Sequence, residues 1–149
     1  MSSHIANASG IALAGSDTST AVEVAAPYNA RVLVQEWGAS FSGVTAGDTP
    51  VLCELVRFTA TGTGTALTLA DMEVDPTGET FGGTAKHTIT VEGAGATVLD
   101  SVYVHPNGGS VRLQPPEPVL VAPSAAIGVR LTTGTVTTGS AQASIAFTV

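Results

Sequence analysis

Arg31-Val32-Leu33-Val34-Gln35-Glu36-Trp37-Gly38-Ala39-Ser40-Phe41 is the stretch that decides the fold class. Alternation by two divides it into Val32, Val34, Glu36 and Gly38 on one side and Leu33, Gln35, Trp37, Ala39 and Phe41 on the other, the period of a strand and not of a helix. Neither side is cleanly polar. Val51 to Thr59 reads the same way, with Val51, Cys53, Leu55 and Arg57 opposing Leu52, Glu54, Val56 and Phe58. A solvated antiparallel sheet shows a polar residue at every second position, so both stretches are expected to be covered on two sides, within a sandwich or at a subunit interface. On that reading Leu33, Glu36, Trp37, Phe41 and Glu54 are candidate interface residues.

Further strands follow on either side. Thr20 to Ala25, Lys86 to Glu92, Val98 to His105, Ala125 to Thr132 and Ala143 to Val149 each carry apolar residues at every second position, and Ser110 to Gln114 reads as the hairpin partner across Pro106-Asn107-Gly108-Gly109. Pro115, Pro116 and Pro118 fix an extended segment that cannot donate to a central ladder. Thr59 to Thr65 reads as a flexible Thr/Gly loop, and Asp71 to Gly83 as an exposed connection. The expected architecture is all-β, two antiparallel sheets packed as a β-sandwich, jelly-roll-like in preference to immunoglobulin-like because the Cys and Trp spacing of the latter is missing. Residues 1–9, small and polar apart from Ile5, read as a flexible N-terminal arm, and residues 10–149 as one sandwich domain.

Composition narrows the function. The chain has 149 residues, enough for one core, and only 11 % are charged against about 25 % in an average soluble domain. Such a sparsely charged surface suits a subunit whose faces are covered by neighbours. Five Lys and Arg against twelve acids, a net charge of −7, exclude a phosphate-backbone partner. No apolar run approaches the length that spans a bilayer and no basic leader opens the chain, so no membrane partner is expected and synthesis is assigned to a cytoplasm. The lone Cys53 leaves no intramolecular disulfide and no thiol-based zinc site.

Chemistry-bearing motifs are sparse. His4, His87 and His105 lack the spacing of a strand-borne metal site, no Gly-x-Ser-x-Gly elbow occurs, and serine is abundant enough that pairings with histidine are expected by coincidence. Asp71, Glu73 and Asp75 read as a solvated acidic loop without the closing Glu of a calcium loop. Glu36 and Glu54 interrupt apolar strands and so must meet a cation, a hydrogen-bond donor or water, with Arg57 and Arg130 as candidate partners. No cofactor, no metal and no enzymatic activity are expected. A carbohydrate-binding or tail- or fibre-associated β-sandwich module, using Trp37, Tyr28 or Tyr103 as stacking surfaces, is the rival reading.

The strand Val34 to Gly43, the turn His105 to Gly109, the lead Pro118-Val119-Leu120-Val121-Ala122-Pro123 and the strand Ile127 to Thr132 resemble small all-β structural proteins of tailed bacteriophages. The resemblance covers most of the chain from Arg31 onward and supplies no catalytic residues. It implies a capsid decoration, or cement, protein on the outside of the virion head, a homo-oligomer with a trimer as the suggested state. Its partners would be copies of itself and the major capsid protein lattice.

Overall fold

The computed structural model describes residues 2–43, 49–72, 80–134 and 139–149. The described residues form twelve strands: β1 (Ser3–Ala12), β2 (Thr18–Ala25), β3 (Val32–Ser42), β4 (Val51–Phe58), β5 (Thr63–Ala66), β6 (Ala70–Asp71), β7 (Thr84–Val91), β8 (Thr97–Val104), β9 (Ser110–Leu113), β10 (Val119–Val121), β11 (Ala126–Thr132) and β12 (Ser140–Thr148). Sheet I runs β10-β3-β12-β1-β6, with β9 also on β3, and sheet II runs β5-β7-β2-β11-β4-β8; all pairs are antiparallel.

The pairing is nested. β1 lies against β12, β2 against β11, β3 against β10 and β4 against β8, so the chain behaves as one long hairpin rolled up, with its outer and inner pairs falling alternately in sheets I and II. That is the jelly-roll arrangement. The segment between β4 and β8 adds β5 and β7 beyond β2 and the two-residue β6 beyond β1. The Pro-bracketed β10 sits at the sheet I edge, where a missing N–H costs no ladder bond.

Apolar side chains from the two inner faces form the core. Ala6, Ile145 and Phe147 from sheet I meet Val22, Val24, Leu55, Ile127, Val129 and Leu131 from sheet II, all fully enclosed or within 2 % of it. Each large side chain buried this way contributes about 1.5–3 kcal/mol.

Several expectations are corrected by this arrangement. Residues 2–9 are no loose arm, because Ser3–Ala12 is a full strand whose backbone pairs with β12 from Ser3 opposite Thr148 to Ala12 opposite Ser140. Short polar residues suffice there because the ladder and the inward Ala6 and Ala8 hold the strand. Thr59 to Thr65 is likewise not all loop: β5 begins at Thr63 and pairs with β7, in the span where Thr88 adopts a positive φ of 49° and the register shifts.

Candidate interaction face

A bulge in β3 determines which of the candidate residues reach the surface. Ala146 of β12 faces Glu36 and Phe147 faces Val34, which leaves Gln35 as an unmatched extra residue. One extra residue exchanges the two sides of a strand from that point onward. Val32 and Val34 therefore share the inner side with Trp37, Ala39 and Phe41, and Leu33 shares the outer side with Glu36, Gly38 and Ser40. The two apolar sides suggested by strict alternation are one inner side, read across a bulge.

Trp37 and Phe41 are thus core residues of this chain, 1 % and 6 % exposed, and not a free interface. The Trp37 indole N–H donates to Asp100 Oδ2 at 3.0 Å, so the polar end of the ring is satisfied inside the sandwich. Leu33 stands on the outer side of sheet I opposite Leu120 of β10, which is 47 % exposed. Glu36 is half-buried and accepts from Arg112 of β9 at 3.0 Å, a cation that sequence spacing did not suggest.

From these two pairs the outer side of sheet I extends through small neutral residues. Gly38 lies between Ser144 of β12 and Arg112 of β9, and a Cβ there would come within 2.5 Å of the Val111 carbonyl, so only glycine lets β9 close on β3. The resulting shallow groove, about 440 Å³, is lined by Gly38, Ser40, Ser110, Arg112, Gln142 and Ser144. Ala146 and Ile5 continue the row beyond Glu36, and Asn7 accepts from the Gln142 side-chain amide at 2.9 Å. Glu36 and Arg112 are the charges this outer side carries on the described residues of β1, β3, β9, β10 and β12.

Sheet II presents a different surface. On β4 the side bearing Val51, Cys53 and Leu55 faces the main core, while Val56 and Phe58 form a second buried cluster with Ala25 and Ala126. The stretch is covered on both sides as expected, but the cover is its own chain: the Phe58 ring runs past bare Gly128, and Gly93 packs on its Cβ. Glu54 accepts from Arg130 Nε at 2.9 Å, and Arg130 also reaches Glu92 at 3.5 Å, which in turn accepts from Thr20 Oγ1 at 2.7 Å. Of the two candidate cations, Arg57 and Arg130, it is Arg130 that meets Glu54, and Glu54 belongs to this internal network and not to an open surface. Glu23, 1 % exposed, takes the Thr61 hydroxyl and the Gly62 N–H, pinning the turn before β5.

Burial pushes the Cys53 thiol up to about 12, with the Glu54 carboxylate adding to the effect, so this sulfur is inert filler at neutral pH. Tyr28 and Tyr103 are exposed, but at opposite ends of sheet II: Tyr103 is level with Leu52, and Tyr28 lies beyond Ala25, which is level with Phe58. The run from Leu52 to Phe58 separates them by about 20 Å. With Trp37 buried, the three aromatics considered for sugar stacking do not form one platform.

Of the acidic loop, Glu73 and Asp75 lie outside the described residues. Asp71 meets His4, and His4 also meets Ser2, an arrangement that sequence reading missed. Ser2-x-His4 shows the strand spacing of two that places both side chains together, but Asp71 is brought in by β6 pairing, which nothing local announces. His87 bonds to Thr88 Oγ1 and His105 Nδ1 accepts the Asn107 N–H, two local contacts. Among the described residues no three of His, Cys, Asp and Glu converge as metal ligands. Comparisons with protein-family models, with curated proteins and with solved structures give no match to this chain.

Proposed function

We propose that this protein is a virion structural subunit, a capsid decoration protein that docks on the shell lattice and on copies of itself. The observation that carries the reading is the outer side of sheet I: among the described residues, a strand surface with one ion pair, Glu36–Arg112, the apolar Leu33, Leu120 and Ile5, and otherwise uncharged residues, on a chain whose net charge is −7. Covering such a surface costs little in desolvated charge. Leu33 and Glu36 belong to it. The activity is stabilisation by mass action: a subunit that binds the assembled shell and not its separated parts stabilises the assembly by its binding free energy, and repeated copies multiply weak contacts.

Co-sedimentation of the purified chain with expanded phage heads, alongside light scattering for its own oligomeric state, tests this. Binding is expected to saturate, and Leu33→Lys combined with Ser144→Arg is expected to abolish it with the unfolding temperature unchanged. A wild-type chain that stays monomeric and in the supernatant at every concentration overturns the reading.

A further inference from the structure

At the sheet I end of the sandwich, Ser2, His4 and Asp71 stand in the order hydroxyl, imidazole, carboxylate. Ser2 Oγ lies 2.9 Å from His4 Nε2, and His4 Nδ1 lies 2.7 Å from Asp71 Oδ1. A carboxylate accepts only, so Nδ1 carries the proton toward Asp71 and Nε2 is left as the acceptor for the Ser2 O–H. The imidazole cannot turn away. It is 2 % exposed and wedged between Phe81 and Phe147, whose ring centres lie 5.6 Å and 5.5 Å from its own. Strand spacing sets Ser2 beside His4, and the β1–β6 register sets Asp71 directly opposite His4. Asp71 is 71 % exposed at its side chain and Ser2 is partly exposed, so reagents reach this end of the fold although the imidazole itself is sealed.

We propose that Ser2 is a nucleophile activated by His4, able to accept an acyl group from small activated esters, at a site distinct from the interaction face. In the step, the Ser2 Oγ lone pair forms a bond to the acyl carbon while the hydroxyl proton moves to His4 Nε2. The bond from the acyl carbon to the leaving oxygen breaks with its electron pair on that oxygen, which then takes the proton from His4. The products are an O-acyl serine and a free alcohol. Asp71 is a positioning residue: it holds the tautomer in which Nε2 can receive the proton.

The neighbouring main-chain donors set the pace. The N–H groups of Ser2, Val149 and Met72 are already given to the carbonyls of Val149, Ser2 and Ser3. An acyl group arriving here lacks those donors for its developing oxyanion, a loss worth about 100- to 1,000-fold per donor in serine hydrolases. Acylation and deacylation both pass through such an oxyanion, so both are slow, and the expected product is a long-lived O-acyl serine.

The test treats the folded full-length chain with p-nitrophenyl acetate and, separately, with an alkyl fluorophosphonate. In the latter the Oγ–P bond forms as the P–F bond breaks, and the proton leaves with fluoride by way of His4. Intact mass and peptide mapping read the adduct. One adduct per chain on Ser2 is expected, none in Ser2→Ala, and none on Ser2 in the urea-unfolded chain. Asp71→Asn, whose amide favours the wrong tautomer, is expected to slow labelling about 100-fold with an unchanged unfolding temperature, and Asp71→Glu to recover part of the rate. Folded protein without an adduct on Ser2, or an Asp71→Asn variant labelled at the wild-type rate, overturns the proposal.

Discussion

Replacing Trp37 by alanine separates a core tryptophan from an interface tryptophan. The indole is 1 % exposed, among the largest enclosed side chains of the molecule, and it donates 3.0 Å to Asp100. Truncation of a buried aromatic to alanine costs about 3–5 kcal/mol through lost transfer free energy and the cavity left behind. Asp100, half-buried on β8, keeps the Ser101 N–H but loses the indole donor, which adds about 1–2 kcal/mol. The total approaches the whole stability of a typical domain, about 5–15 kcal/mol, so Trp37→Ala is expected to be barely folded. Trp37→Phe keeps most of the packing and loses the hydrogen bond, for an expected cost of about 1–2 kcal/mol, or a few degrees in Tm. Urea unfolding followed by circular dichroism measures both. In the wild type the single tryptophan provides a second readout: its emission is expected to be that of a buried ring and to stay the same when copies of the chain associate. If Trp37→Ala folded with a cost below about 1 kcal/mol while losing self-association, the ring would be a contact between subunits and the bulge argument would be wrong.

Two further outcomes follow from the same structure. The Cys53 thiol keeps its proton in the folded state up to about 12, whereas an unfolded thiol ionises near 9.0, so the unfolded state binds fewer protons between these values and stability falls as pH rises through them. Stability from this one group is fully present below pH 9 and falls by about 1.4 kcal/mol per pH unit above it, a slope absent in Cys53→Val, as alkaline urea titrations would measure. Arg130→Met leaves Glu54, with 12 % of its side chain exposed, without its cation and Glu92 with the Thr20 hydroxyl but no cation. The expected loss is about 2–4 kcal/mol, and a double-mutant cycle with Glu54→Gln should recover part of it, since removing both charges is cheaper than stranding one.

Much of the fold was legible from local pattern. β-branched and alternating segments such as Ala126–Thr132 and Thr84–Val91 announce themselves because a half-buried strand needs a period of two, and the Asn107-Gly108 turn between β8 and β9 follows from glycine's access to the positive φ of 72° found at Gly108. That Glu54 needs a partner was legible, since a carboxylate within an apolar strand must be compensated, and Arg130 was one of two candidates for it; the partner of Glu36, Arg112, was not among them. The Gly10–Ala14 stretch read as a short strand, but the first part of β1, from Ser3 to Ser9, was missed because its inward residues are as small as Ala6 and Ala8: a strand held chiefly by backbone pairing with a distant partner leaves little mark on its own sequence. The nature of the site divided along the same line. Leu33 and Glu36 lie on the surface as an interface would need, whereas Trp37 and Phe41, only a few residues further, do not.

By itself the sequence determined that this chain is built of strands and carries few charges, with a net charge of −7, because composition and period are properties of each segment alone. Tertiary structure decided which side of β3 faces inward, which cation meets Glu36, and that Ser2, His4 and Asp71 stand together. Those outcomes depend on register: one unmatched residue at Gln35 moves every later side chain of the strand to the opposite side, and a two-residue strand brings Asp71 to a histidine far away in the chain. Register is set by partners remote in sequence, so no reading of the segment alone contains it.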